Sequence, residues 1–193
     1  MTVIIGLDLS LTSTGICCLP LDWDCTPSRC RVETVPYKRT PHCDTERAAR
    51  LATVARRIIA AAQELADGKG ITAWGIESLP THNAHAVVPL AELHGCVRLL
   101  LHDRGQQVVT VPQASARKLL LGTLPRKDVK EIVRRVVTHF DGCGAWGPDE
   151  VDAFVAVNWL VSEDGGVALA AGAARNLAHP LASQPFFWGA NSE

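Results

Sequence analysis

Four carboxylates stand where apolar runs of this sequence end or turn, and they could together bind a hard divalent cation. Asp8 and Glu77 each close a short apolar run, while Asp149 and Asp152 lie three residues apart at the start of a helix-like segment. Because desolvating a carboxylate is costly unless a partner compensates for it, an acid that ends a buried strand needs a reason. Mg²⁺ takes oxygen ligands and keeps water molecules that a substrate phosphate can displace. The pattern therefore predicts a magnesium site.

The elements that must position these acids follow from the apolar periodicity. Residues 2–8, 13–19 and 30–37 are predicted to form three antiparallel strands. A helical stripe of apolar residues then predicts a helix over 44–66. The remaining predicted elements are a strand at 71–77, a helix at 84–103, a strand at 106–111, short helices opened by Pro112 and by Pro125, and a helix at 148–161.

This order of elements predicts an α/β fold whose mixed five-stranded sheet, three antiparallel strands and then two parallel ones, is flanked by helices. If the first and fourth strands are neighbours, Asp8 and Glu77 lie side by side. Asp149 and Asp152 share a helix face and would close the cluster.

Size and composition indicate one globular domain, which we place at residues 1–162. The chain has 193 residues, of which 47% are hydrophobic and 20% charged. Residues 163–193 are expected to form a partly helical or weakly ordered extension. No apolar run approaches the roughly 18 residues of a membrane span and no basic leader precedes the first strand, so we expect a cytoplasmic protein without membrane contact.

The seven cysteines are expected to be scattered thiols in a reducing compartment. A zinc site is the alternative, but the spacing of the candidate ligands matches no standard pattern. Those candidates are Cys25, Cys30, His42 and Cys43.

The charge distribution favours a nucleic-acid partner more than the net charge of −1 does. Residues 98–135 hold nine Lys and Arg against three acids, whereas residues 136–193 hold one Arg against seven acids. A local basic surface, rather than the total charge, attracts a phosphate backbone. The alternative is that these basic residues form an ordinary solvated helix face.

Several short motifs, taken in chain order, resemble those of one family. They are Ile5-Gly6-Leu7-Asp8 followed by Thr14-Gly15, then Ile76-Glu77, the basic stretches 117–122 and 127–130, and finally Asp149-Glu150-Val151-Asp152-Ala153. Across residues 2–160 this order resembles the RuvC Holliday-junction resolvases of the ribonuclease H-like superfamily, in a divergent, phage-type form.

The resemblance implies a ribonuclease H-like fold and a homodimeric endonuclease that cleaves branched DNA, typically a four-way junction. It implies two Mg²⁺ or Mn²⁺ ions held by Asp8, Glu77, Asp149 and Asp152, with Asp8 as the central ligand. Lys118 and Lys127 match basic positions from which one side chain would contact the scissile phosphate. The remaining DNA-binding residues implied are Arg117, Arg126 and Lys130, which would track the backbone, together with His82 and Asn83 in the loop after Glu77.

The sequence also departs from the family pattern. Leu9-Ser10-Leu11 stands where the family usually has Pro-Gly-Ser, and the loop 78–83 lacks the usual aromatic residue. Phosphodiester hydrolysis is therefore better indicated than the choice of DNA structure. A symmetric pair of cuts needs two sites, and we expect the dimer interface on the helix that begins near Ala84.

Three alternatives remain open at this point. A related nuclease could act on flaps or RNA–DNA hybrids. A non-catalytic DNA-binding module of the same fold would have little use for four mutually repelling acids. An actin-like or sugar-kinase ATPase is faintly suggested by residues 8–15, but that class needs two domains and a second Gly-rich loop.

Overall fold

The computed structural model of the protein describes residues 2–21, 31–36, 44–79, 84–122, 127–139 and 146–162. Several sequence predictions lie outside these ranges. They are the DNA-binding residues His82, Asn83 and Arg126, the zinc candidates Cys25, Cys30, His42 and Cys43, the helix start at Pro125 and the extension 163–193. The division of the chain at residue 162 therefore stays a prediction.

The strands of the described residues form one five-stranded sheet in the order β3-β2-β1-β4-β5. Their bounds are β1 Thr2–Asp8, β2 Ser13–Pro20, β3 Arg31–Pro36, β4 Gly70–Glu77 and β5 Val108–Val111. The pairs β1–β2 and β2–β3 are antiparallel, whereas β1–β4 and β4–β5 are parallel. The predicted mixed sheet is confirmed. β5 begins two residues later than predicted, although Gln107 still accepts a backbone hydrogen bond from Trp74.

Within the described ranges, five helices flank the sheet, and their bounds agree closely with the periodicity. They are α1 Asp44–Ala66, α2 Ala84–His102, α3 Gln113–Leu121, α4 Val129–His139 and α5 Pro148–Val161. Pro112 is the N-cap of α3, and Pro148 opens α5, where a missing N–H costs nothing. Within the described residues, no helix combines the length and apolar character needed to cross a membrane.

The helices divide between the two faces of the sheet. Residues of β1 alternate, so that Ile5 and Leu7 face a core formed with α1 and α2, whereas Ile4 faces a core formed with α3, α4 and α5. On the second face α5 is buried on nearly all sides, including Phe154 at 0% exposure. A helix that is apolar all round belongs in the interior, and here it lies directly on the sheet.

Two glycines in the strands let α5 approach the sheet this closely. A Cβ added at Gly6 in β1 would lie 2.2 Å from the carbonyl oxygen of Ala153. A Cβ added at Gly15 in β2 would lie 1.9 Å from the carbonyl oxygen of Asp149. Both separations are far below van der Waals contact, so only glycine permits this packing. The position of α5, and of the acids it carries, therefore depends on these two strand residues.

Candidate metal centre

The ends of two neighbouring parallel strands bring Asp8 and Glu77 together. β1 and β4 pair in register, with Leu7 opposite Ile76, and each acid is the next residue along its strand. Leu7 and Ile76 point into the core beneath α1 and α2. Because successive side chains of a strand alternate between faces, the two carboxylates project to the opposite face, where α5 lies.

The third acid of the cluster comes from α5. Asp152 lies one turn into this helix and is 5% exposed. One carboxylate oxygen from each of Asp8, Glu77 and Asp152 lies within 4.8 Å of the others. The structure thus joins three of the four acids singled out in the sequence, from three separate segments of the chain.

Two cations contact Asp152, one at each carboxylate oxygen. Arg117 of α3 donates from Nη2 to Oδ1 at 2.8 Å, and Lys130 of α4 places Nζ 2.9 Å from Oδ2. The Arg117 side chain is only 10% exposed, whereas that of Lys130 is 62% exposed. The Nε atom of Arg117 is buried and has no hydrogen-bond partner among the described residues. Arg117 is therefore an interior partner of the site, where the sequence had suggested a residue that tracks DNA.

The electrostatics of the cluster favour an additional positive charge. Burial raises the pKa of the Asp8 carboxyl to about 9, and the negative charges of Glu77 and Asp152 contribute to the same increase. Burial also raises the pKa of Glu77, with the charge of Asp152 as the next cause. Burial alone would lower the pKa of Lys130, but its hydrogen bond to Asp152 and the charge of that residue raise it overall. The positive charges of Arg117 and Lys130 therefore do not fully balance three ionised carboxylates.

The donor set fits a hard divalent cation. All three groups offer carboxylate oxygens, which Mg²⁺ and Mn²⁺ prefer over the nitrogen and sulfur ligands typical of zinc. A divalent ion would also offset the burial and the repulsion that raise the pKa of Asp8, because a bound cation favours ionised carboxylates. Asp8, Glu77 and Asp152 are the residues that would hold it.

Asp149 lies in a different environment from these three acids. Its Oδ2 accepts a hydrogen bond of 2.5 Å from the hydroxyl of Ser13 in β2. The adjacent Glu150 accepts one of 2.6 Å from the hydroxyl of Thr34 in β3. The start of α5 is thus attached to the two outer antiparallel strands. The sequence analysis did not identify Ser13 and Thr34. The alternation of side chains along β2 and β3 places both hydroxyls on the face that α5 covers, and this pattern could have indicated them.

The predicted DNA-binding residues within the described ranges differ in their exposure to solvent. Lys118 on α3 and Lys127 before α4 are exposed and lie outside the carboxylate cluster. Glu131 accepts hydrogen bonds from Arg134 and Arg135 on α4. These hydrogen bonds lower the pKa of Glu131 to about 2. Part of the basic stretch is therefore paired within its own helix, whereas Lys118 and Lys127 are exposed side chains outside these pairs.

Comparison with known proteins supports the fold. No family model matches the sequence, and no curated protein matches it. Two solved structures of RuvC from Thermus thermophilus are similar to the chain, each at 14% sequence identity. The one in complex with a Holliday junction substrate covers 81% of this chain and 90% of that chain, with a TM-score of 0.54. The other covers 80% and 90%, with a TM-score of 0.57. The predicted ribonuclease H-like fold, as found in RuvC, is confirmed.

Proposed function

We propose that this protein is a metal-dependent endonuclease that hydrolyses phosphodiester bonds in branched DNA, with the Holliday junction as its main substrate. The observation that carries the proposal is the convergence of Asp8, Glu77 and Asp152 beside two cations. Metal-assisted hydrolysis of a polyanion needs carboxylates to hold metal ions and basic groups to attract phosphate. Similarity in fold to a RuvC structure that contains a Holliday junction substrate favours branched DNA over other phosphodiesters.

Each residue near the site has a proposed task. Asp8, Glu77 and Asp152 would hold two Mg²⁺ or Mn²⁺ ions, and Asp149 is a further candidate ligand. Divalent ions bound there would supply Lewis-acid activation of water and stabilisation of the negative charge that develops on the phosphate oxygens. Arg117 orients Asp152, because its guanidinium is held in the interior and donates to one oxygen of that carboxylate.

The exposed basic residues supply the DNA contacts in this proposal. Lys118 or Lys127 donates to the scissile phosphate, where a charge-assisted hydrogen bond stabilises developing negative charge. Arg126, His82 and Asn83 are proposed to contact the strands on either side. Contacts to phosphates carry no base information, which suits recognition of a branched shape. DNA affinity should therefore fall steeply as the salt concentration rises.

A homodimer is also proposed, because two symmetric cuts need two sites. On α2, Leu93 and Val97 are fully buried in the core and cannot contribute to an interface. Val88 and Leu99 are 56% and 61% exposed and are the better candidates. Sedimentation equilibrium at micromolar concentration should give the mass of two chains, and Leu99→Lys should shift the protein towards one.

The decisive experiment incubates the protein and Mg²⁺ or Mn²⁺ with a four-way junction, a flap, a linear duplex and an RNA–DNA hybrid. We expect paired cuts in the junction. Asp8→Asn should slow cleavage by about a thousandfold or more, which corresponds to about 4 kcal/mol of transition-state stabilisation. It should still bind the junction, because a metal ligand does not form the basic surface.

Asp67→Asn is the matched control for this experiment. Asp67 is an exposed acid with a backbone φ of 55° at the end of α1, and asparagine tolerates that conformation. Its cleavage rate should equal that of the wild type. Cutting of only the flap or the hybrid would assign the protein to another ribonuclease H-like nuclease activity. Cutting by Asp8→Asn at the wild-type rate would refute the metal assignment.

A further inference from the structure

Asp152 is the most heavily engaged acid of the cluster. Both of its carboxylate oxygens already have a cationic partner, Arg117 at 2.8 Å and Lys130 at 2.9 Å. A metal ion that coordinates Asp152 directly must therefore compete with one of these two groups. Which of the two cations is displaced determines how a metal ion binds to Asp152.

The two cations differ in how readily they can leave. Arg117 is held in the interior with only 10% of its side chain exposed. Breaking its pair with Asp152 would leave an uncompensated charge in a buried position, which is strongly destabilising. The Lys130 side chain is 62% exposed. Its ammonium group can rotate into water, where hydration replaces the lost contact.

The position of Lys130 on α4 also indicates that Lys130 is the cation that can be displaced. It lies in the first turn of a helix that begins at Val129, where the helix dipole disfavours a positive charge. Glu131, the next residue, carries the charge that suits this turn and pairs with Arg134 and Arg135. Lys130 therefore does not stabilise the start of α4. Its contact with Asp152 accounts for the position of the Lys130 ammonium group.

We propose that Lys130 is a displaceable counter-ion of the metal centre, a role that rests on the proposed metal-dependent function. Its ammonium group holds Oδ2 of Asp152 in the cluster and gives way when a divalent ion coordinates that carboxylate. Arg117 remains on Oδ1 throughout and keeps the orientation of Asp152. Lys130 is thus a positioning residue that sets the affinity for metal, rather than a residue that only contacts DNA.

The test measures Mn²⁺ binding by isothermal titration calorimetry at fixed salt, without DNA. Lys130→Met removes the competing ammonium and should bind Mn²⁺ about fivefold more tightly than Lys118→Met, which removes an exposed charge from the neighbouring helix α3. Lys130→Arg keeps a cation at the same position and should remain near the wild-type affinity. In nitrogen NMR spectra of lysine side chains, the Lys130 ammonium signal of the wild type should change on addition of Mg²⁺ while that of Lys118 does not.

The outcomes separate this inference from the proposed function. Wild-type protein that binds Mn²⁺, with Asp8→Asn failing to do so, supports the metal centre. Equal affinities for Lys130→Met and Lys118→Met would then overturn the counter-ion role alone, as would weaker binding by Lys130→Met. Absence of Mn²⁺ binding by the wild type would overturn both. Thermal unfolding of each variant checks that it is folded, and Lys130→Gln replaces Lys130→Met if the latter is not.

Discussion

α5 crosses two parts of the sheet, and the chemistry beneath it differs between them. At the inner contact, over β1 and β4, Asp152 meets Asp8 and Glu77. At the outer contact, over β2 and β3, Asp149 and Glu150 each accept a hydrogen bond from a strand hydroxyl. Acids within one helical turn thus acquire different roles, because the strands below them carry carboxylates in one case and hydroxyls in the other.

The difference is one of charge balance. Each outer carboxylate has a neutral donor and part of its surface in water, so the outer contact mainly fixes the start of the helix. The inner contact brings three carboxylates against two cations, and burial raises the pKa of Asp8 to about 9. Ionising Asp8 would leave the site with excess negative charge, which a divalent cation in place of the proton balances. The outer contact therefore positions α5, and the inner contact is where a metal ion would be bound.

The largest expected effect comes from separating α5 from the inner strands. Gly6→Ala would place a methyl group 2.2 Å from the carbonyl oxygen of Ala153, the residue after Asp152. Backbone cannot yield as a flexible side chain does, so α5 must shift away from β1. We expect the free energy of unfolding, measured with urea, to fall by about 3 kcal/mol. Mn²⁺ affinity should fall as well, because Asp152 moves away from Asp8.

Two further glycine variants sharpen this prediction. Gly15→Ala produces a similar clash with the carbonyl oxygen of Asp149, so it should destabilise the protein comparably but weaken Mn²⁺ binding less. Gly95→Ala on α2 is the control, because an added methyl group there meets nothing within 4 Å. It should stabilise the protein by about 0.5–1 kcal/mol. Equal loss of Mn²⁺ affinity in Gly6→Ala and Gly15→Ala would contradict the proposed difference between the inner and outer contacts.

An intermediate effect concerns pH. The folded protein holds a proton on Asp8 up to about pH 9, because burial and the neighbouring acids raise its pKa, whereas an unfolded Asp releases it near pH 4. Between these values the folded state binds more protons than the unfolded state, so the free energy of unfolding decreases as pH rises. In EDTA, the wild-type stability should fall by about 4 kcal/mol between pH 5 and pH 8, because one proton changes the free energy of unfolding by about 1.4 kcal/mol per pH unit.

Asp8→Asn cannot ionise at this position and should lose much less stability over the same range. At pH 8 it should therefore be more stable than the wild type, although it is the variant expected to lose cleavage. The measurement is the urea midpoint at four or five pH values in EDTA. Parallel curves for wild type and Asp8→Asn would mean that the inner contact carries no excess charge.

Sequence patterns predicted the elements well and the contacts of single residues poorly. Apolar periodicity defined α1 and α5 to within a residue, and the acids at the ends of β1 and β4 indicated their own convergence. Arg117 illustrates why contacts are hard to predict. The sequence of a basic stretch does not distinguish an arginine that faces DNA from one that pairs with a buried acid 35 positions away. Asp149 and Asp152 share a helix face, yet only the crossing of α5 over two strands separates their surroundings.

The smallest expected effect tests the outer contact itself. Ser13→Ala removes the hydroxyl that donates to Asp149, and Thr34→Val removes the one that donates to Glu150. Each change deletes one hydrogen bond to a half-buried carboxylate and should lower the free energy of unfolding by about 1 kcal/mol. On stability alone, the two variants are therefore matched.

Metal affinity should distinguish them. Asp149 is a proposed metal ligand and Glu150 is not, so releasing Asp149 from Ser13 should change Mn²⁺ affinity by about two- to threefold, or about 0.5 kcal/mol. Thr34→Val should leave that affinity unchanged. If calorimetry finds the same affinity for both variants, Asp149 takes no part in the metal shell. The inner contact would then hold its ions with three carboxylates, and the outer contact would serve only to position the helix.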